Sequence, residues 1–329
     1  MKAVVALGWG PPEVLHVTDV ERPTPRKGEV RIRMGATSVT ASDSLARGLK
    51  VARRYRVLAR LLLGYRAPRR NIFGMVFAGE VESVGRKVTT FRPGDEVFGL
   101  SRWKVGCYAE YVCYSANGLI AAKPANLGYD QAAALPYGGL LALHLLRSAR
   151  IQAGQRVLVY GASGAIGTST VQLAKHFGAT VTGVCSMRNL SLVASLGADA
   201  VVDYTREDFT TRGERYDLIL DAVGRRKSAT AMLHAENSLA PGGKCISIDD
   251  SWPKLHAEDL LVLKRLAESG ELTPVVDRTY PLEEIVEAHR HVDEGHKRGN
   301  VIVTIDDAGA FRTTPAPKRN TPAAPRTGL

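Results

Sequence analysis

The sequence predicts an α/β protein in two parts, an irregular β barrel followed by a doubly wound parallel sheet. Three observations carry that expectation. Residues 1 to 125 are rich in short β-like runs broken by Gly and Pro. From residue 126 onward strand-like and helix-like runs alternate strictly, which implies parallel strands joined by right-handed crossovers. Between one such strand and its helix lies a glycine-rich turn, Gly161 to Gly167. A chain of 329 residues is comfortable for two domains and too long for one small core.

In the first part, Glu29-Val30-Arg31-Ile32-Arg33-Met34 and the run from Phe77 to Val84 read as strands, and Pro93-Gly94-Asp95 supplies a turn before Glu96-Val97-Phe98-Gly99. In the second part Arg156 to Tyr160 is a short apolar strand. The helix behind the glycine turn repeats Ile166, Thr170, Leu173, Ala174 and Phe177 at helical spacing, with Gly178 as its stop. Thr180 to Val184, Ala200 to Asp203, Tyr216 to Leu220 and Gly243 to Ile248 read as further strands, and Leu190 to Leu196 as a helix. Residues 306–329 scatter prolines among Ala, Thr and Arg without apolar periodicity and are expected to be disordered.

Composition excludes several classes. At 45% hydrophobic and 23% charged, the chain is neither a disordered nor a membrane-spanning type. No run approaches the ~18–20 apolar residues of a spanning helix. Met1 opens directly into a strand-like alternation with no signal-peptide pattern, and Cys107, Cys113, Cys185 and Cys245 lack CxxC spacing. A cytoplasmic protein without disulfides or a structural zinc is therefore expected.

The net charge is +11, and part of it is local. Arg47, Lys50, Arg53, Arg54, Arg56, Arg60, Arg66, Arg69 and Arg70 fall between Ser44 and Gly79, a stretch without Asp or Glu. The arginines interleave with Val57, Leu58, Leu61 and Leu62, as in an amphipathic lobe laid over a core. A solvated helix face is one reading; weak contact with an anionic membrane through residues 47–70 is the other. No nucleic-acid-binding motif accompanies the block, and nucleic acid is not an expected partner.

The segment Gly161-Ala162-Ser163-Gly164-Ala165-Ile166-Gly167 leaves a strand and opens a helix, the context a dinucleotide fingerprint requires. Its glycines let backbone N–H groups approach a pyrophosphate at a positive helix end. A plain structural turn is the alternative. An NAD site usually adds an acid about 20 residues on, for the adenosine ribose. Here Val184-Cys185-Ser186-Met187-Arg188-Asn189 has none before Asp199, while Ser186, Arg188 and Asn189 suit a 2′-phosphate. NADPH is favoured, with Arg188 as a mere surface residue the competing reading.

Leu135-Pro136-Tyr137-Gly138-Gly139, the glycine turn, Val171-Gln172-Leu173-Ala174-Lys175, Leu196-Gly197-Ala198-Asp199 and Asp221-Ala222-Val223-Gly224 follow one another, after Gly79-Glu80-Val81 and Pro93-Gly94-Asp95-Glu96-Val97. In these motifs residues 1–305 resemble the medium-chain dehydrogenase/reductase superfamily, in its zinc-free quinone-reductase and enoyl-reductase branch. The resemblance implies a GroES-like catalytic domain (1–125, completed by 270–305), a Rossmann domain (126–269) and NADPH in the cleft between them. It also implies a homodimer built through the Rossmann sheet, and cofactor contacts from Gly138, Tyr204, Val223, Ser247, Ile248 and Asn300. By analogy Thr40 and Asp43 belong at the cleft, with a satisfied loop cap the equal alternative, and Tyr137 borders the nicotinamide or simply packs. Leu141 stands where relatives often carry Thr, and Asp249 and Asp250 where they often continue with Gly.

Zinc-using members present a Cys and a His where this chain reads Val39-Thr40-Ala41-Ser42-Asp43 and Phe73-Gly74-Met75-Val76-Phe77-Ala78-Gly79. Hydroxyl and thioether groups are poor substitutes for thiolate and imidazole, so no metal is expected. The expected chemistry is hydride transfer from NADPH to a quinone, an enone or another small carbonyl. Two other readings stay open: an NAD(P)-dependent alcohol or aldehyde dehydrogenase, and a non-catalytic NADPH-binding protein that docks to membrane or RNA through its basic lobe.

Overall fold

A computed structural model describes residues 1–50, 55–101 and 106–305. Arg53, Arg54 and the segment 306–329 lie outside the described residues. Two sheets organise the chain. In the first, β3 (Glu29–Val39) pairs antiparallel with β4 (Val76–Val84) and β6 (Tyr111–Ser115), and β4 continues through β5 (Glu96–Leu100) to β7 (Ile120–Ala122). A separate hairpin, β1 (Lys2–Ala6) with β2 (Leu15–Asp19), closes one side. The sequence returns here at its end. Strand β14 (Asn300–Thr304) pairs antiparallel with β3 and parallel with β13 (Val276–Pro281).

The second sheet is wholly parallel, in the order β10-β9-β8-β11-β12. Its strands are β8 (Arg156–Tyr160), β9 (Thr180–Cys185), β10 (Ala200–Asp203), β11 (Tyr216–Asp221) and β12 (Leu239–Ser247). Strands β8 and β11 carry buried apolar runs, Val157–Val159 and Leu218–Leu220, as strands covered on both faces by helices do. The fold class read from the sequence stands: a GroES-like barrel and a Rossmann sheet. Strand order reverses between β8 and β11, and a crevice opens beyond the carboxyl ends of strands at such a switch point.

Helices α4 (Pro136–Ala149) and α5 (Ala165–His176) bind the two parts together. Leu140, Leu143, Leu145 and Leu146 of α4 are buried in one core with Val157, Val159 and Leu220 of the parallel sheet and Val76, Ala78 and Phe98 of the barrel. That shared core fixes the cleft between them. Among the described residues no helix is long and apolar enough to cross a membrane.

One sequence expectation changes. Helix α2 (Arg56–Leu63) forms, but Val57, Leu58, Leu61 and Leu62 do not cover a core; each is more than half exposed. Periodicity defines a helix face without saying what lies against it.

Candidate active site

A cavity of about 1170 Å³ occupies the crevice. Its base is formed by the ends of β8 and β11, through Tyr160, Gly161, Ala222 and Val223. The opposite wall is helix α1 (Ala41–Arg47), which contributes Ala41, Ser42, Leu45 and Ala46, with Met75 and Leu100 beside it.

The glycine turn lies along this cavity, lining it with Gly161, Ser163, Gly164, Ala165 and Ile166. Gly161 has φ +77°, and a Cβ on it would sit 2.3 Å from Val223 Cγ2. Gly167 stands behind the turn, where a Cβ would lie 2.1 Å from the Gly161 carbonyl oxygen. Gly164 caps α5 without a side chain, so the first-turn N–H groups stay open for an anion. Gly138 does not reach the cavity; its missing Cβ lets α4 approach α5, 2.2 Å from Ala165 O being the place that Cβ would take.

Ser186, Asn189 and Tyr204 line the far end. The Asn189 amide donates to Ser163 Oγ at 3.0 Å and Ser186 Oγ at 3.3 Å, while its buried Oδ1 has no protein partner. An acceptor buried in that way fits a ribose hydroxyl. Arg188 turns aside, donating to the His296 carbonyl at 3.0 Å. Asp199 is held at the start of β10 by Lys175 and by the Val181 N–H, at the opposite end of the strand. Asp203 accepts from the Thr205 N–H and hydroxyl. Lys227 and Lys297, which sequence reasoning did not single out, also line the cavity, and burial pushes the Lys297 amine down to about 8. The residues present thus fit a dinucleotide: an uncapped helix end, an orphaned acceptor and two lysines.

At the near end, Tyr137 lines the cavity and its hydroxyl meets Ser42 Oγ at 2.9 Å. Burial raises the Tyr137 phenol, so it keeps its proton at neutral pH. Thr40 and Asp43 are not on the cavity wall. They cap α1 reciprocally, Thr40 N–H donating to Asp43 Oδ2 at 2.9 Å and Asp43 N–H to Thr40 Oγ1 at 3.2 Å, and both are buried. The two residues between them, Ala41 and Ser42, both line the cavity, and Ser42 brings a hydroxyl to it. Val223 and Ile248 line the cavity. Ser247 instead donates to Asp221 at 2.7 Å, and Asn300 to the Val275 carbonyl at 3.1 Å, each supporting the wall from behind. Asp249 and Asp250 both line the cavity; Asp249 sits against Gly224, and Asp250 is tied to Arg225 and to the Ser247 N–H.

Comparisons with known proteins agree with this layout. Residues 26–125 match the model described as "Alcohol dehydrogenase GroES-like domain", and residues 165–268 and 251–303 match models described as "Zinc-binding dehydrogenase". The chain is 30% identical to an NADPH-dependent alkenal/one oxidoreductase, chloroplastic, of Arabidopsis thaliana, over 92% of this chain and 79% of that protein. The chain belongs to the medium-chain dehydrogenase/reductase superfamily. It is an oxidoreductase of the quinone-reductase-like branch. A 2-methylene-furan-3-one reductase of Solanum lycopersicum is 32% identical over 72% of this chain, which spans 64% of that protein's length. The structure of a quinone oxidoreductase from Coxiella burnetii superposes with a TM-score of 0.79 at 28% identity, covering 93% of this chain and 99% of that one.

The zinc that this family description implies would need donors that the described residues do not bring together. At the two ligand-bearing stretches the chain offers Thr40, Ser42 and Met75, and Asp43 is committed to Thr40. Among the described residues no three His, Cys, Asp or Glu side chains gather as a metal site would need. This donor set does not fit a catalytic zinc.

Proposed function

We propose that the chain reduces quinones or α,β-unsaturated carbonyls with NADPH and without zinc. The observation that carries this reading is the single cavity joining the uncapped α5 terminus to the Ser42–Tyr137 hydroxyl pair. The relatives named as alkenal/one, furanone and quinone reductases support it. When bound, the nicotinamide supplies a hydride. The α5 N–H groups hold the pyrophosphate, and Asn189 Oδ1 takes a ribose hydroxyl. Val223 and Ile248 shape the wall beside the ring. The largely apolar wall from Leu45, Ala46, Met75 and Leu100 excludes water and admits a flat, uncharged substrate. On an enone the hydride so supplied would add at the β-carbon, and Tyr137, oriented by Ser42, would donate a hydrogen bond to the carbonyl oxygen as it gains charge; a proton from water at the α-carbon would complete the saturated product.

Replacing Tyr137 by Phe removes the donor and keeps the ring. We expect kcat to fall on the order of a hundredfold with little change in the Kd for NADPH. Steady-state rates with an enone, monitored by NADPH consumption, check this; an unchanged kcat removes the hydroxyl pair from the mechanism.

The preference for NADPH rests on Ser186 and Tyr204, which line the cavity's far end, while the adjacent Asp203 is turned to the Thr205 N–H and hydroxyl and is not part of the lining. Substituting Ser186→Asp sets a negative charge against the 2′-phosphate. The ratio of kcat/KM for NADPH over NADH is expected to drop by about ten- to a hundredfold. A ratio that stays put would locate the phosphate elsewhere.

The same reading divides the chain into a catalytic part (1–125 with 270–305) and a cofactor part (126–269), in a cytoplasmic homodimer. Strand β12 is the edge of the parallel sheet and could pair with its copy. The four cysteines, all free, suit a reducing compartment.

A further inference from the structure

Helix α2 presents two chemistries on one surface. At 100° per residue Val57, Leu58, Leu61 and Leu62 fall on one side and Arg60 on the other. Among the described residues little covers the apolar side: Val57 is 71% exposed, Leu58 55%, Leu61 59% and Leu62 63%. The helix is nevertheless anchored at its C-terminus, where the Trp9 indole donates to the Gly64 carbonyl at 2.9 Å and Arg69 N–H to the Leu63 carbonyl at 2.8 Å. Arg60, Arg66 and Arg69 are exposed around it. The stretch from Ser44 to Gly79 holds nine Arg and Lys and no acid.

We propose that α2 is an interfacial helix that lays its leucine face on an anionic lipid surface. Such helices pair an apolar face, which enters the boundary between headgroups and acyl chains, with cations that meet anionic headgroups. Each half of the pattern excludes another occupant. A second copy packed about a two-fold axis would set these arginine-rich segments against each other with no carboxylate between them. A nucleic acid would use the arginines and leave four large aliphatic side chains in water. Only a lipid surface carrying negative charge satisfies both. The proposal does not depend on the reductase reading, because α2 contributes nothing to the cavity wall.

The test is flotation of the full chain with vesicles of equimolar phosphatidylglycerol and phosphatidylcholine, against vesicles of phosphatidylcholine alone. The expected result is binding to the anionic vesicles only, weakened by salt. The double variant Leu58→Gln/Leu61→Gln and the double variant Arg60→Gln/Arg66→Gln should each lower partitioning by about tenfold or more. Since these side chains are exposed, both variants should melt like the parent and turn over a water-soluble enone equally well. Absence of flotation by the parent chain overturns the proposal, as does flotation that both variants retain. Light scattering supplies the other contrary outcome: a dimer abolished by Leu58→Gln/Leu61→Gln, without vesicle binding, would assign the face to a second copy.

Discussion

Substituting Gly167→Val is expected to abolish NADPH binding, lowering affinity by at least about a hundredfold, and to destabilise the chain by about 1–3 kcal/mol. The position is crowded by backbone rather than by side chains. A Cβ there would meet the Gly161 carbonyl oxygen at 2.1 Å and the Ala162 Cα at 2.7 Å. No rotamer change relieves a clash with main chain, so the turn must move away from the first turn of α5. That movement displaces the N–H groups that hold the pyrophosphate. Gly164→Ala is the control. Its Cβ would find only the Gly161 oxygen at 3.6 Å, and its backbone is extended, so the melting temperature should stay close to that of the parent. Calorimetric titration with NADPH and a thermal melt on both variants separate the effects. A Gly167→Val chain that binds NADPH normally would show that the turn is not the pyrophosphate site.

How much of this was legible in the sequence depended on the range of the interaction concerned. The parallel sheet was readable because each βα unit is local: Arg156–Tyr160 and Ala200–Asp203 are strands over the very residues their apolar runs suggested. The cavity's far end was traceable for the same reason, being lined mainly by residues 161–189. The near end was not, since the Ser42–Tyr137 contact joins positions 95 residues apart. A local signal there decides between the two readings of Thr40 and Asp43, cleft residues or a loop cap. Thr40-Ala41-Ser42-Asp43 has the spacing of a capping box, which turns its first and fourth side chains toward each other. Read that way, Thr40 and Asp43 support the helix and Ser42 is left to face the cleft. For α2, the hydrophobic period was visible, but only the fold could show that none of the described residues covers it.

Another long-range feature is a buried cation. Arg47 is 1% exposed, yet its guanidinium donates to the Gly10 carbonyl at 3.1 Å, to His289 Nδ1 at 2.7 Å and to the Asp293 carboxylate. It thereby ties α1, which forms one wall of the cleft, to α9 (Ile285–Glu294). Arg47→Met should cost about 3–5 kcal/mol, because it strands the partners of a buried charge; equilibrium urea unfolding within 1 kcal/mol of the parent would contradict the assignment. The network also sets the response to acid. Burial, and then the charge of Arg47, hold His289 down at about 3, so it stays neutral when folded but gains a proton below about 6.5 when unfolded. Its contribution is complete above pH 6.5 and is lost as pH falls toward 3. Burial drives the neighbouring Asp43 the other way, up to about 6, against its Thr40 hydrogen bonds. The folded chain therefore takes up that proton first, and between pH 6 and 4 Asp43 offsets the loss at His289. Asp43→Asn removes the offset. Relative to the parent, the variant should lose about 1.4 kcal/mol of stability per pH unit on going from pH 6 to pH 4. Urea midpoints measured at half-unit steps decide it: parallel curves for variant and parent would mean that Asp43 is ionised throughout and that the buried carboxyl does not titrate in this window.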